Sequence, residues 1–304
     1  MKKAKEVIGY YCDDIVKSRY LGQGISVGIL DTGITLHPDF DNRILEFRDF
    51  VGLRHSVYDD SGHGTHVAGI LAGSGRMSDG VYSGIAPEAR LIIGKVLDEK
   101  GNGSVQAVLR GIQWILEKQQ KWKIRIVNLS VGTQPGLNGE EEQRLLEAVE
   151  AMWDAGIVVV VSAGNSGPKE GTVAVPGNSR KVITVGAVDR TFRQGWSGVS
   201  NWDYSGRGPV GECILKPEVS APGTQIMSCN GNYTNRFRKP YTMKSGTSMA
   251  TPIVSGAIAC LLSKYPDMSN VEVKLRLRER CVSGQEGSLG WGLINVERLL
   301  QEGR

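Results

Sequence analysis

The sequence predicts an α/β fold with a mostly parallel central sheet and helices on both faces. Three observations carry that prediction. Short apolar runs rich in Val and Ile recur at residues 25–30, 90–97, 125–129, 157–162 and 182–188, each the length of a buried strand. Segments with helical periodicity fall between and after them. No linker-like stretch and no internal repeat interrupts the 304 residues, so residues 1–304 read as a single domain.

The elements follow in order. Residues 1–8 carry Lys2, Lys3 and Lys5 with no apolar run behind them, so an N-terminal arm is expected, with neither a secretory leader nor a membrane span. The run at 25–30 reads as a buried strand and ends in Asp31-Thr32-Gly33. A carboxylate directly behind a buried strand is costly unless it is paired. In an open parallel sheet, strand ends are also where sites gather. Asp31 as a turn cap is the competing reading. Small and apolar residues from Thr65 predict a short, closely packed helix, with His63 at its mouth and His66 one turn in.

A strand at 90–97 leads to a turn at Gly101-Asn102-Gly103, and Ser104 caps a helix to about residue 119. The strand at 125–129 runs into Ser130-Val131-Gly132. Glu140, Glu141 and Glu142 open a helix striped by Leu145, Leu146, Val149 and Met152, and Gly156 stops it. The strand at 157–162 is the strongest signal in the chain and runs straight into Ala163-Gly164-Asn165. After the strand at 182–188, residues 189–244 read as irregular. Helices at 248–264, about 269–280 and about 295–301 close the chain.

Composition narrows the function. Forty glycines are about twice the typical ~7% share and are spread evenly, which means tight turns and close backbone approaches. The net charge of +4, from 36 basic and 32 acidic residues, is too weak to argue for nucleic acid. Five cysteines lie far apart without metal-ligand spacing and read as reduced thiols in a cytoplasmic protein.

Four polar residues stand at strand ends or helix mouths: Asp31, His63, Asn165 and Ser248. Ser248 follows Ser245-Gly246-Thr247 and opens a helix that is apolar nearly all round. Free amides and the positive end of the helix dipole gather there. The plain alternative for Ser248 is an N-cap. Together the four residues compose a mechanism. A serine hydroxyl needs a neighbouring base, which His63 supplies. Asp31 holds the imidazole in one tautomer. Asn165 and the Ser248 amide offer donors to an oxyanion.

The motifs Asp31-Thr32-Gly33-Ile34, His63-Gly64-Thr65-His66-Val67-Ala68-Gly69, Ser162-Ala163-Gly164-Asn165 and Gly246-Thr247-Ser248-Met249-Ala250-Thr251-Pro252 stand in this order. On them the chain resembles the subtilisin-like serine proteases, or subtilases. The resemblance implies the subtilisin-like three-layer fold and a serine endopeptidase with an Asp-His-Ser triad. It implies that Ser130, Val131, Gly132, Ser162, Ala163 and Gly164 wall the primary specificity pocket, with Ala174 at its floor. It also implies that Gly101-Asn102-Gly103 pairs as an edge strand with an extended polypeptide substrate. Val175-Pro176 corresponds to a cis bond, and His66 to a structural residue.

The chemistry implied needs no cofactor. A structural calcium is implied at Asp39, with a plain turn residue as the competing reading, and residues 73–84 depart from the loop that holds calcium in many secreted relatives. With the absence of a leader and the unpaired cysteines, the pattern is most similar to the intracellular bacterial branch, and secretion stays open as the alternative if the sequence is a trimmed mature form. Two alternatives stay open: a processing protease of narrow specificity, and an inactive peptide-binding relative. The pocket-like segments contain no Asp or Glu, which favours an apolar or broad primary preference, subject to loops at 133–139 and 224–240. Oligomeric state is not legible.

Overall fold

The computed structural model describes residues 1–132, 139–188, 204–208, 215–233, 239–284 and 289–302. Seven parallel strands make one sheet: β1 (Ser26–Asp31), β2 (Ile44–Asp49), β3 (Arg90–Lys95), β4 (Ile124–Leu129), β5 (Val158–Ser162), β6 (Ile183–Val188) and β7 (Val219–Pro222). Their spatial order is β2-β3-β1-β4-β5-β6-β7. β1, β4 and β5 are buried along almost their whole length. That is why they read as unbroken apolar runs, as strands covered on both faces do. From β1 the chain winds to one side through β2 and β3; from β4 it winds to the other. The crevice at the carboxyl ends of β1 and β4 is therefore the switch point where α/β folds bind ligands.

Helices cover both faces. On one side α3 (His63–Ala72) packs against α6 (Thr247–Lys264), and α6 crosses β4 to β7. Residues 249–262 of α6 are all buried, which accounts for its lack of a polar face. On the other side α4 (Val105–Trp122) packs on β1 and β4, and α5 (Gly139–Asp154) on β5. Ser104 caps α4 as expected, accepting from the Ala107 amide at 3.1 Å. Helices α7 (Asn270–Arg280) and α8 (Val296–Leu300) close the chain.

The differences from expectation have physical causes. The N-terminal arm is a docked helix, α1 (Lys2–Val7), with Met1, Ala4, Lys5 and Ile8 buried and Lys5 Nζ donating to Ser83 Oγ at 2.8 Å. A second short helix, α2, spans Asp13–Val16. β2 escapes sequence reading because it is a half-buried edge strand interrupted by Glu46 and Arg48. Within the stretch expected to be irregular, β7 is a four-residue edge strand ending in proline, where a missing N–H is tolerated. There too, β8 (Ile226–Cys229) and β9 (Tyr241–Lys244) pair antiparallel outside the main sheet. Cys213 lies outside the described residues. Among them, no helix is long and apolar enough to cross a membrane.

Candidate active site

Asp31 is the last residue of β1 and is fully buried. Its Oδ1 accepts the Thr32 amide and the His63 Nδ1–H, both at 2.7 Å. That bond leaves His63 Nε2 as the basic nitrogen. His63 is the first residue of α3, and its ring is a quarter exposed. Burial works to lower the His63 pKa, but the charge and hydrogen bond of Asp31 outweigh it, and the net shift is upward from 6.5.

The mouth of α3 is braced by residues that sequence reasoning passed over. Thr32 Oγ1 accepts the Gly64 amide at 2.8 Å and donates to Asp59 Oδ1 at 2.8 Å. The other Asp59 oxygen takes the Thr65 amide and hydroxyl, at 2.8 and 2.6 Å. Two otherwise free helix amides are thereby satisfied, and a carboxylate sits at the positive end of the dipole. Lys95, only 1% exposed, donates to the Thr32 carbonyl at 2.8 Å and to Asp60 at 2.7 Å. A lysine at the end of the apolar β3 run was the available signal. His66 bonds through Nε2 to the carbonyls of Ile226 and Thr242, both at 3.1 Å. Burial, helped by the charges of Lys244 and His63, pushes its pKa down to about 3, so it stays neutral and structural.

The second half of the site is the start of α6. Gly246 precedes it at φ +149°, a backbone that favours glycine, and is anchored by donating to the Gly223 carbonyl at 2.9 Å. Ser248 falls in the first turn, where its amide has no intrahelical acceptor. Its hydroxyl donates to the Ser130 carbonyl at 3.0 Å and not to His63. Pro252, four residues on, cannot donate to the Ser248 carbonyl, and Ser130 Oγ does so instead at 3.1 Å. Asn128 and Ser255 extend this network, tying the end of β4 to α6. Asn165 Oδ1 accepts the Thr247 amide at 3.0 Å and its hydroxyl at 3.1 Å. Those donors identify the oxygen, so Nδ2 is the group left for the cleft.

His63, Asn165 and Ser248 line one cleft of about 850 Å³. Of the expected pocket residues, Ser130, Val131, Gly132, Ser162, Gly164 and Ala174 line it as well. Ala163 does not. It is buried behind the wall, where its carbonyl accepts the Ala174 amide at 2.9 Å. A Cβ at Gly132 or Gly164 would come within 2.9 or 2.8 Å of the Ala174 methyl, so bare backbone is what lets the walls close on it. Gly101, Asn102 and Gly103 line the cleft but belong to no strand of the sheet. They form a turn clasped by Asp98, which accepts the Asn102 amide at 2.8 Å. Val175–Pro176 is cis. Residues 133–138 and 234–238, part of the loops expected to influence the pocket, lie outside the described residues.

Asp39 is fully buried, and the groups around its carboxylate do not fit calcium. Calcium takes six to eight oxygen ligands. Asp39 instead meets donors: the amides of Gly75 and Met77 at 3.0 and 3.2 Å, the Tyr241 hydroxyl at 2.8 Å and the Cys229 thiol at 3.6 Å. Burial and the neighbouring Asp39 charge hold the Cys229 pKa well above normal, so the thiol keeps its proton. His37, Asp39 and Cys229 bring nitrogen, oxygen and sulfur atoms within 4.8 Å of one another, but His37 Nδ1 already accepts the Asp39 amide at 3.1 Å. The cluster is a closed hydrogen-bond network.

Comparison with known proteins agrees with this geometry. Residues 22–292 match the subtilase family. The chain is 40% identical to serine protease AprX of Bacillus subtilis (strain 168) over 291 residues, 91% of this chain and 66% of AprX. It is 36% identical to subtilisin DY of Bacillus licheniformis, with 95% of each chain covered. Among solved structures, Sphericase superposes with a TM-score of 0.75 at 31% identity, covering 90% of this chain and 92% of Sphericase. S41 Psychrophilic Protease gives 0.76 at 32% identity with the same coverage. The seven-stranded parallel sheet, the cleft at its switch point and these matches lead to one conclusion: the chain belongs to the subtilase family.

Proposed function

We propose that the chain is a serine endopeptidase that hydrolyses peptide bonds through an acyl-enzyme on Ser248. The observation that carries this reading is the convergence on one cleft of a carboxylate-paired imidazole, a helix-mouth serine and an amide with a free NH₂. A polypeptide substrate lies extended in the cleft. Ser248 Oγ adds to the carbonyl carbon as its proton passes to His63 Nε2. Asp31 stabilises the imidazolium, and the oxyanion accepts from Asn165 Nδ2 and the Ser248 amide. The C–N bond then breaks as His63 returns the proton to the leaving nitrogen. Water adds to the acyl carbon, His63 takes its proton, and Ser248 Oγ leaves with that proton.

Every proton and charge here is handled by the chain's own groups, so we propose no cofactor for the chemistry. Val131, Leu145 and Ala174 in the cleft, with no carboxylate in its lining among the described residues, favour an apolar or broad preference at the primary position. We read residues 1–304 as one peptidase domain. A cytoplasmic location is supported by the unpaired thiols of Cys12, Cys229, Cys260 and Cys281.

The test is intact mass after treatment with a serine-reactive fluorophosphonate, beside Ser248→Ala. One adduct, mapped to Ser248 and absent in the variant, is the expected result. A folded parent protein that takes no adduct would overturn the reading.

A further inference from the structure

We propose that Lys244 reads the residue on the leaving-group side of the scissile bond and favours an acidic side chain there. The inference rests on the peptidase reading above. Lys244 is the last residue of β9, four positions before Ser248, and it lines the cleft with His63. His66 bonds to the Thr242 carbonyl, which ties β9 to α3 beside His63. The end of β9 therefore emerges on the imidazole's side of the nucleophile. Ser130, Gly132, Gly164 and Ala174 line the same cleft, with Gly132 and Gly164 gathered about the Ala174 methyl. In peptide hydrolysis the group that protonates the leaving nitrogen must stand next to it. The residue after the scissile bond is thus brought to His63's flank, where Lys244 stands.

The carboxylates on that flank are already engaged, Asp31 with His63 at 2.7 Å. Asp60 is held by Lys95 at 2.7 Å. Asp59 is buried, and both its oxygens take donors from its own loop and α3. Among the described residues no carboxylate pairs with Lys244. Among the described residues the cleft is lined by Lys100 and Lys244 and by no Asp or Glu, so its charged lining favours anions. In keeping with its place in the same cleft, the charge of Lys244 works to lower the proton affinity of both His63 and His66. A substrate carboxylate there would meet a half-buried cation, where an ion pair is stronger than on open surface.

The experiment uses internally quenched peptides that differ only at the residue after the scissile bond: Glu, Gln or Lys. Ratios of kcat/KM within one enzyme cancel any uniform change in rate. The parent should rank Glu above Gln above Lys, with about 3- to 10-fold between the extremes at low salt, shrinking as salt is raised. Lys244→Gln should flatten the ranking and Lys244→Glu should reverse it, with fluorophosphonate labelling of Ser248 retained in both. Labelling and cleavage with no ranking in the parent, or an unchanged ranking in Lys244→Glu, would overturn the inference and leave the peptidase reading standing. Absence of both labelling and cleavage would overturn both.

Discussion

Asp31 and Asp39 are eight residues apart, and both are fully buried. Their surroundings differ in one respect. Both oxygens of Asp39 are occupied: Oδ1 by the Met77 amide and the Tyr241 hydroxyl, Oδ2 by the Gly75 amide, the same hydroxyl and the Cys229 thiol. Asp31 uses only Oδ1, and its buried Oδ2 has no partner among the described residues. A saturated carboxylate spends its charge on fixed donors and acts as a brace. A half-satisfied one keeps charge in reserve for a group that becomes cationic during reaction. Burial of such a group costs stability, so Asp31 is the residue whose cost implies work, and that work falls on His63.

Substitution should separate the two sharply. Asp31→Asn should lower kcat by about 10⁴-fold, the order expected when the imidazole loses its orienting anion. Its equilibrium unfolding should change little, because the parent carboxylate is not fully paired. A denaturant titration beside steady-state kinetics checks both. Asn165→Ala should come next, with kcat reduced about 10²–10³-fold at near-constant KM, the loss established for the oxyanion asparagine of subtilisin. Asp39→Asn should do the reverse of Asp31→Asn. Its NH₂ would face other donors, costing about 2–4 kcal/mol of stability while kcat changes only a few-fold. A dead but stable Asp39→Asn would break the comparison.

The pH profile sharpens it further. His63 must be neutral to act as base, so kcat/KM should fall as pH drops through a midpoint somewhat above 6.5. Burial pulls that pKa down, and Asp31 more than offsets it. In Asp31→Asn the offset is gone, so the midpoint of the residual activity should move to lower pH. A midpoint that stays put would mean that Asp31 does not set the His63 charge.

The site was more legible in sequence than its supports. Asp31, His63, Asn165 and Ser248 sit at strand ends and helix mouths, where local pattern alone flags a polar group. Thr32, Asp59 and Lys95 act through contacts across the fold, and only the bonds to Gly64, Thr65 and the Thr32 carbonyl reveal them. The same limit explains the fold. Fully buried strands announce themselves by unbroken apolar runs, whereas β2 is half solvated and carries charge. The surroundings of Asp39 were hidden for a related reason. The resemblance supplied a ligand position, but the partners come from Gly75, Met77, Cys229 and Tyr241, far apart in the chain. Whether a carboxylate meets cations or donors is decided by those partners.

The smallest expected effect tests that last point most narrowly. Tyr241→Phe removes a hydroxyl that donates to Asp39 at 2.8 Å, and it leaves the Gly75 and Met77 amides in place. Burial, reinforced by hydrogen bonding to Asp39 and its charge, raises the Tyr241 pKa, so the phenol is a donor throughout the working pH range. If Asp39 is a brace held by several donors, losing one should cost about 1 kcal/mol, or a Tm decrease of about 2–4 °C, with kcat unchanged. The neighbouring Tyr82 ring, 5.0 Å away, keeps its packing because the aromatic ring is retained. Equal stability in parent and variant would mean that the amides alone hold Asp39. A loss as large as that of Asp39→Asn would mean that the hydroxyl, not the loop, is the principal partner.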